Sequence, residues 1–348
     1  GCSVVPTAHA DCQKLIQAVG RRCSQDLISG RILSAEQIPG GCGGARCFRL
    51  RTTREDSDFF VKLILSDEAQ DAYEALHGEL QSLIAIGAFA SAAFKVPRPL
   101  YLMRQAGAGA LVLPWVDLYK CSDYEVMGSA LGGLHSASLG ASVMHGFCVA
   151  TSCGRWRFDN GWHEDWVTFF SQQRLLPLFQ ALEAAPHALL GPALQDLCRR
   201  DLHALFTGAE LRPCLLHGDY WHGNFWLSED VPVLLDPAAY WGHHELDLAN
   251  VQLMEDERRF AAFLAGYYSQ MPRCDTACLR KDLYMLIPAM RMWLLFPSRA
   301  AVHAGRCEGL AVKVLECLRD TEAMLSPTAD DEDFGCLPQP EPSQVSKK

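Results

Sequence analysis

The segment from Leu215 to Asn250 constrains the fold more than any other part of this 348-residue chain. It reads LLHGDYWHGNFWLSEDVPVLLDPAAYWGHHELDLAN. This order predicts a buried strand, a polar loop, a short hairpin, a second buried strand and a polar turn into a helix. Asp219 follows the first apolar run, Asn224 stands five positions later, and Asp236 ends the second apolar run. Three short polar side chains are therefore presented at the ends of buried segments.

Phosphoryl transfer from a nucleotide needs such a set of polar groups. One carboxylate faces the attacking hydroxyl, while an amide and a second carboxylate hold Mg²⁺ on the phosphates. The spacing HGD-x4-N-x11-DPA is typical of a kinase catalytic loop followed by a metal loop. Asp219, Asn224 and Asp236 could instead be turn residues that satisfy their own backbone groups. The ordered set favours the first interpretation, with Asp219 as the catalytic carboxylate and Asn224 and Asp236 as metal ligands.

Two stretches of this segment, LLHGDYWHGN and PVLLDPAAYWGHHELDLA, resemble the fructosamine/ketosamine-3-kinase family, a branch of the aminoglycoside-phosphotransferase-like kinases. The resemblance extends roughly from Ile38 to Pro272. It implies an α+β, two-lobe, protein-kinase-like fold, with a small β-rich N-lobe and a larger helical C-lobe. It also implies ATP and Mg²⁺ as cofactors and phosphorylation of the 3-hydroxyl of a ribulosamine or fructosamine, on a small amine or a protein lysine. In that family the product then decomposes and frees the amine, which repairs glycation.

The resemblance divides the chain into four parts. Residues 1–30 are an N-terminal segment with a helix, residues 31–116 the N-lobe and residues 117–325 the helical C-lobe. Residues 326–348 are rich in Pro, Ser, Asp and Glu, which predicts a disordered tail. In the N-lobe we expect strands over residues 31–38, 46–51 and 59–65, followed by a helix over residues 67–89.

A glycine-rich hairpin, PGGCGGA, lies between the first two expected strands. Its backbone N–H groups could approach phosphate oxygens without interference from Cβ atoms, although a plain flexible hairpin has the same composition. Lys62, in the following FFVKL strand, takes the place of a kinase's phosphate-binding lysine. The resemblance favours Glu79 as its ion-pair partner over Glu68 and Glu74, and it places the adenine against the connection between the lobes. The expected nucleotide-binding residues are Gly41, Cys42, Gly43, Gly44, Lys62, Glu79, Pro114, Trp115, Val116 and Asp117.

The acceptor site is the least constrained part of the prediction. His217 is expected to brace the catalytic loop through hydrogen bonds, and Asp247 is expected to anchor that loop from the next helix. Core packing explains each acceptor candidate equally well when it is taken singly. The candidates are Trp221, His222, Tyr240 and His243.

Two segments depart from the family pattern, and the first of them lies where we expect the acceptor to bind. The family usually has a Pro-Gln pair where residues 152–158 read SCGRWRF, and an Asn-His pair where residues 288–296 read PAMRMWLLF. The acceptor could therefore be another small hydroxyl compound, such as an aminoglycoside or a choline-like alcohol, which an acidic pocket would favour. A catalytically silent, nucleotide-binding pseudokinase is the non-enzymatic alternative. The presence of Lys62, Asp219, Asn224 and Asp236 argues against it.

Composition and charge exclude several other classes. The formal net charge of −10 argues against a nucleic-acid surface or an anionic membrane as principal partner. No apolar run reaches the ~18 residues of a membrane span, and the N-terminus lacks the basic and apolar regions of a secretory signal. We expect an intracellular and most simply cytoplasmic protein, with organellar import left open. A monomer or a weak, redox-linked dimer is expected.

The fifteen cysteines fit no disulfide framework, because their number is odd and no CxxC pair occurs. Most are expected to be buried thiols in a reducing compartment. Cys42 differs because the N–H groups of an anion-binding loop should favour its thiolate, and we hypothesise that its oxidation inhibits the enzyme. An inert small residue explains Cys42 equally well. The histidines of residues 217–244 have no H-x3-H or HExxH spacing, which argues against a zinc hydrolase.

Overall fold

In the computed structural model, which describes residues 16–22, 31–41, 44–53, 58–65, 69–105, 108–186 and 188–325, alternating apolar side chains build a five-stranded antiparallel sheet. Its strands are β1 (Ile32–Ile38), β2 (Arg46–Thr52), β3 (Phe59–Leu65), β4 (Tyr101–Gln105) and β5 (Ala108–Pro114), in the order β1-β2-β3-β5-β4. Phe59, Val61 and Leu63 of β3 are buried on one face of the sheet, while the intervening Lys62 points to the other.

Two helices cover this sheet. Residues 16–22 (α1) pack Ile16 and Val19 onto the face that Val61 occupies. The second helix, α2 (Ala69–Gly87), packs Leu76 and Leu83 against the opposite face. The expected N-lobe strands therefore form with ends that shift by at most one residue, and the expected helix ends at Gly87, two residues early. The expected start of that helix, residue 67, lies outside the described residues. The expected disordered tail, residues 326–348, lies outside the described residues.

The second lobe is mainly helical. Its helices are α3 (Tyr124–Ser138), α4 (Trp166–Phe170), α5 (Leu176–Ala184), α6 (Pro192–Leu197), α7 (Glu245–Met254), α8 (Glu257–Tyr268), α9 (Lys281–Leu295) and α10 (Ala300–Leu325). A π-helical segment, Ser171–Leu175, joins α4 to α5, and short 3-10 turns occupy His203–Phe206, His222–Asn224, Ala277–Leu279 and Pro297–Arg299. The core of this lobe is aromatic: Trp166 stacks on Phe169 with ring centroids 5.5 Å apart and donates to the Tyr284 hydroxyl at 2.9 Å.

Short strands carry the polar loops of the second lobe. They are β6 (Tyr119–Lys120), β7 (Thr151–Cys153), β8 (Trp156–Phe158), β9 (Cys214–Leu216), β10 (Phe225–Ser228), β11 (Val231–Leu234) and β12 (Tyr240–Gly242). Strands β6, β10 and β11 form one sheet, β9 pairs with β12, and β7 pairs with β8 in a hairpin that was not predicted.

Hydrogen bonds across the junction fix one lobe against the other. The Ser82 hydroxyl on α2 accepts from the backbone N–H of Ala239 at 2.9 Å. The Lys95 N–H donates to the Pro232 carbonyl at 2.7 Å, and the Leu234 N–H donates back to Lys95 at 3.0 Å. These contacts hold in place strand β11 and the turn after it, which together carry Asp236. Among the described residues, no helix is both long enough and apolar enough to cross a bilayer.

Candidate active site

The catalytic loop is held in place from beneath by a buried carboxylate. Asp247, in the first turn of α7, accepts from the backbone N–H of His217 at 2.5 Å and from that of Gly218 at 2.8 Å. His135 contacts the same carboxylate at 3.1 Å. Gly218 has a φ of +78°, and a Cβ there would overlap the Ala238 carbonyl. The expectation that Asp247 anchors the loop is therefore matched by direct contacts.

His217 ties the two polar loops together. Its Nε2 lies 3.0 Å from the Leu235 carbonyl, next to Asp236, and its Nδ1 accepts from the Asp219 N–H at 3.3 Å. Burial lowers the pKa of His217, so the imidazole is neutral. A neutral ring that donates at one nitrogen and accepts at the other suits the expected bracing role.

Asp219 faces an arginine that sequence reasoning did not single out. Arg291 of α9 donates from Nη2 to Asp219 Oδ1 at 2.8 Å and to the Asn250 amide oxygen at 3.2 Å. Burial opposes the charge on Arg291, but Cys153 and Asp219 outweigh it and raise its pKa, so the guanidinium stays charged. The candidate base is therefore a partly buried carboxylate paired with a fixed cation.

Asn224 and Asp236 present oxygen atoms of the kind that Mg²⁺ prefers. The Asn224 amide nitrogen donates to the Asp219 carbonyl at 2.9 Å, which leaves its amide oxygen as the atom available to a cation. Asp236 has a φ of +53°, a left-handed conformation that aspartate tolerates better than most residues. This donor set fits a magnesium ion shared with nucleotide phosphates.

Lys62 bridges the two lobes. Its Nζ lies 2.7 Å from Glu79 Oε2 on α2 and 3.0 Å from Asp236 Oδ1. Burial opposes the charge on Lys62, but Asp236 and Glu79 outweigh it and raise its pKa. Burial raises the pKa of Glu79, and Lys62 only partly offsets this. Sequence reasoning favoured Glu79 over Glu74 as the partner, and Glu79 is the one in contact.

The described part of the glycine-rich loop has the backbone that its sequence predicts. Gly41 and Gly44 have φ values of +91° and +92°, which glycine adopts without strain. A Cβ on Gly44 would lie 3.4 Å from Nη2 of Arg155, at the tip of the β7–β8 hairpin. Cys42 and Gly43 lie outside the described residues, so the redox hypothesis for Cys42 stays a hypothesis.

The expected adenine-binding connection follows β5. Pro114 ends that strand, and the Trp115 indole donates to Asp117 Oδ1 at 2.7 Å. The Arg49 guanidinium lies 4.1 Å from the centroid of the Trp115 ring. This arrangement holds Trp115 and Asp117 together beside Val116, the remaining member of the predicted lining.

A cavity of about 720 Å³ opens beside Asp219. This size is typical of pockets for small-molecule ligands. Its described lining is Gly44, Cys153, Gly154, Arg155, Asp219, Trp221, Asn250, Met254, Pro288, Arg291, Met292, Leu295, Phe296, Ser298, Arg299 and His303. Both segments that depart from the family pattern, residues 152–158 and 288–296, contribute to this wall.

One of the four acceptor candidates, Trp221, lines this cavity. His222 lies away from it and pairs with Glu255 at 2.5 Å. Tyr240 is buried beneath the Arg174 guanidinium, 3.8 Å from the ring centroid, and lines a separate pocket of about 20 Å³. These positions do not fit the expectation that His222 and Tyr240 contact the acceptor.

His243 is also a core residue rather than part of the cavity wall. Its Nδ1 lies 2.8 Å from the Tyr284 hydroxyl, and the side chain is buried. His243, His244 and Glu245 are close enough to suggest a metal site. Both Glu245 oxygens, however, accept from Arg280, at 2.8 and 2.9 Å. This charge pair occupies both carboxylate oxygens that the cluster would offer to a metal ion.

The buried cysteines near the site are thiols of low reactivity. Burial raises the pKa of Cys153 to about 12, and it raises the pKa of Cys214 well above the ordinary range. Thiolates react far faster than thiols, so these residues serve packing at neutral pH. Cys153 also lines the cavity, where its Sγ lies 3.4 Å from the Gly218 carbonyl.

Several cavity residues were missed by sequence reasoning. Arg291, Asn250, Arg299 and His303 come from three helices and the turn before α10. The available signal was Arg291 itself, a charged residue within the otherwise apolar PAMRMWLLF. No spacing rule connects it with Asp219.

The two lobes, the Lys62–Glu79 pair and the polar loops define a kinase of the aminoglycoside-phosphotransferase-like class. The solved structure of a candidate fructosamine-3-kinase from Haemophilus somnus 129PT aligns with a TM-score of 0.71 and 19% identity, covering 85% of this chain and 96% of that chain. Aminoglycoside phosphotransferase APH(4)-Ia aligns with a TM-score of 0.53 and 14% identity, covering 87% and 98%. The expected two-lobe fold class is confirmed.

Sequence comparison identifies the family. The fructosamine kinase profile matches residues 15–307. Chloroplastic protein-ribulosamine 3-kinase of Oryza sativa subsp. japonica is 31% identical over 278 residues, covering 77% of this chain and 75% of that protein. Ketosamine-3-kinase of Mus musculus is 29% identical over 263 residues, covering 69% and 83%. The chain belongs to the fructosamine kinase family, as the sequence motifs indicated.

Proposed function

We propose that this kinase transfers the γ-phosphoryl group of ATP to the 3-hydroxyl of a ribulosamine or fructosamine, the first step of deglycation. One observation carries the proposal: Asp219 stands on the wall of a ligand-sized cavity, Asn224 donates to its backbone carbonyl, and Lys62 pairs with Asp236. The names of the relatives, protein-ribulosamine 3-kinase and ketosamine-3-kinase, support the choice of acceptor. Because ATP is the donor, we place the reaction inside the cell.

In the proposed reaction, Asp219 orients the acceptor hydroxyl and takes its proton. A bond forms between the acceptor oxygen and the γ-phosphorus, the bond to the β-phosphate oxygen breaks, and ADP leaves. Arg291 occupies Oδ1 of Asp219, which leaves Oδ2 for the acceptor. The hydroxyl is thereby directed to one oxygen of the base.

The remaining residues act on the nucleotide. Lys62 and the glycine-rich backbone would position the triphosphate, and Glu79 keeps Lys62 pointed into the cleft. Asn224 and Asp236 would hold Mg²⁺. That ion, when bound with ATP, neutralises phosphate charge during transfer. The lining of the connection, Pro114 to Asp117, would receive the adenine.

The alternative acceptors are less well supported. An aminoglycoside or a choline-like alcohol carries positive charge and needs carboxylates around it. The described cavity wall has one carboxylate, Asp219, and three arginines. A silent pseudokinase would not need Lys62, Asp219, Asn224 and Asp236 together, and contacts join Lys62 to Asp236 and Asn224 to the Asp219 backbone.

The test measures ADP release with Mg-ATP and ribulose-lysine, together with the mass and position of the phosphate on the product. Wild type is compared with Asp219→Asn, and Asp320→Asn on the exposed side of α10 serves as the control. We expect Asp219→Asn to bind Mg-ATP normally and to lose turnover, while the control retains it. Wild-type protein that binds Mg-ATP but phosphorylates neither ribulosamine nor fructosamine would refute the acceptor assignment.

A further inference from the structure

The acceptor cavity carries a charge opposite to that of the chain. Its described wall contains Arg155, Arg291, Arg299 and the single carboxylate of Asp219, so three positive charges and one negative charge leave +2. The whole chain has a formal net charge of −10. A local cationic wall in an acidic protein points to a ligand that carries negative charge.

Two of these arginines already contact other groups of the site. Arg291 is held on Asp219 and Asn250, and Arg155 lies against Gly44 on the nucleotide side of the cavity. Arg299 is assigned neither to Asp219 and Asn250 nor to the nucleotide side of the cavity. It ends the 3-10 turn before α10, and its side chain makes no hydrogen bond or ion pair with the residues that the structure describes.

His303 lines the same cavity one helical turn after Arg299. It is only 4% exposed, and within the described chain neither ring nitrogen has a hydrogen-bond partner. Buried polar groups in proteins nearly always have a partner, so this imidazole can bind a group that the described part of the chain does not supply. Burial, Arg306 and Arg299 lower the pKa of His303, and a neutral imidazole still donates one N–H.

The start of α10 reinforces this preference. This helix has 26 residues, and its N-terminal end lies at Ala300, between Arg299 and His303. The dipole of a helix places partial positive charge at its first turn, which favours anions. The N–H groups of Arg299 and Ala300 themselves donate to the Phe296 and Pro297 carbonyls. Ser298, whose hydroxyl can donate, lines the cavity beside this end of the helix.

We propose that Arg299 and His303 form a subsite for an oxyanion group, a carboxylate or a phosphate, carried by the ketoamine acceptor. This inference rests on the proposed ketoamine kinase activity and specifies its substrate class. A ketoamine on a free amino acid keeps its α-carboxylate, and a ketoamine made from a sugar phosphate keeps its phosphate. A lysine inside a protein has lost its carboxylate to the peptide bond. The subsite therefore favours small anionic ketoamines over protein-bound ones.

The test compares three acceptors that share the ribulose on the ε-amine of Nα-acetyl-lysine. The first has a free α-carboxylate, the second has a carboxamide in its place, and the third is the carboxamide with a 5-phosphate on the ribulose. Wild type should show a kcat/KM roughly 10- to 100-fold higher for at least one anionic acceptor than for the neutral one, as expected for a charge-assisted hydrogen bond. The preferred anionic acceptor identifies the source of the oxyanion.

Two variants probe the subsite on the same panel. Arg299→Gln changes an exposed side chain and should abolish the preference while leaving the neutral acceptor within about threefold of wild type. His303→Asn should reduce the preference in the same direction. Arg319→Gln, an exposed arginine on the same helix outside the cavity, is the matched control and should leave the preference intact.

Failure of this inference differs from failure of the proposed function. Equal kcat/KM for neutral and anionic acceptors, or an equal loss for both in Arg299→Gln, overturns the subsite while the kinase activity stands. If none of the three acceptors and none of their fructose counterparts is phosphorylated, the ketoamine kinase proposal fails. Calorimetric binding of the anionic acceptors to wild type and Arg299→Gln then decides the subsite separately. Tighter binding by wild type supports it, and equal binding overturns it.

Discussion

Arg291 Nη2 donates to Asp219 Oδ1 at 2.8 Å, so the candidate catalytic base of this kinase is paired with a half-buried arginine. The same nitrogen donates to the Asn250 amide oxygen at 3.2 Å, which ties the pair to α7. Arg291 thus fixes the orientation of the carboxylate in a cavity where small displacements alter the geometry of attack. It is a positioning residue that acts through Asp219.

We expect Arg291→Gln to lower kcat roughly 10- to 100-fold while the KM for ATP changes little, because a misplaced base slows the chemical step. Arg291→Lys keeps the charge and should recover part of the loss. Steady-state kinetics with varied ATP checks both expectations. Arg258→Gln, an exposed arginine on α8, is the control. A normal kcat in Arg291→Gln would show that the Asp219 carboxylate needs no partner.

Asp247 gives a second prediction, because its two oxygens accept from the N–H groups of His217 and Gly218. Asp247→Asn places an amide NH₂ against one of these donors. We expect a loss of about 1–3 kcal/mol in the free energy of unfolding and a large fall in kcat, since the loop that carries Asp219 loses its anchor. Urea denaturation and ADP release measure the two effects. Unchanged kcat together with reduced stability would mean that the loop keeps its shape without the anchor.

Local spacing explains what the sequence predicts well. Asp219, Asn224 and Asp236 stand at fixed offsets from buried strands, and strand ends fix where their side chains emerge. The Lys62–Glu79 pair follows from a strand and the next helix along the chain. Each of these features depends on neighbouring residues, so one sequence with a recognisable motif suffices to locate them.

Tertiary packing explains what the sequence does not predict. Arg291 meets Asp219 across 72 positions, and PAMRMWLLF by itself reads as an apolar helix. His243 follows the short strand β12 as an ordinary polar residue, and only the placement of α9 puts Tyr284 against it and turns it into the core. Whether the His303 ring nitrogens have hydrogen-bond partners likewise depends on which helices cover α10. The spacing of residues in the sequence predicts none of these three features.

The buried pair of Arg280 and Glu245 gives a stability prediction. Arg280 is fully buried and donates twice to the Glu245 carboxylate. Arg280→Met leaves an unpaired buried carboxylate, so we expect a loss of ~3–5 kcal/mol in the free energy of unfolding. Urea denaturation measures it. The double variant Arg280→Met with Glu245→Gln removes both charges and should recover part of the loss. A double variant no more stable than Arg280→Met would assign the effect to packing.

Buried histidines make the protein sensitive to acid. Burial lowers the pKa of His145 to about 4 and that of His244 to about 3, and it also lowers the pKa values of His217 and His243. Below about pH 6.5, the unfolded chain binds protons at these rings while the folded chain does not. Stability should therefore fall as the pH drops from 6.5 toward 4. Urea denaturation across this range checks the slope, and a flat profile would contradict it.

The contribution of Glu79 to stability has the opposite pH dependence, and one variant isolates it. Burial raises the pKa of Glu79 to about 7, so between its ordinary range and pH 7 the folded state holds a proton that the unfolded state lacks. Its contribution to the free energy of unfolding is therefore lost as the pH rises through this window. Asp236 has a lowered pKa and titrates below the window. Relative to wild type, Glu79→Gln should gain stability steadily from pH 5 to pH 7 without nucleotide, as measured by urea denaturation at each pH. A constant difference between the two proteins would mean that Lys62 keeps Glu79 ionised throughout.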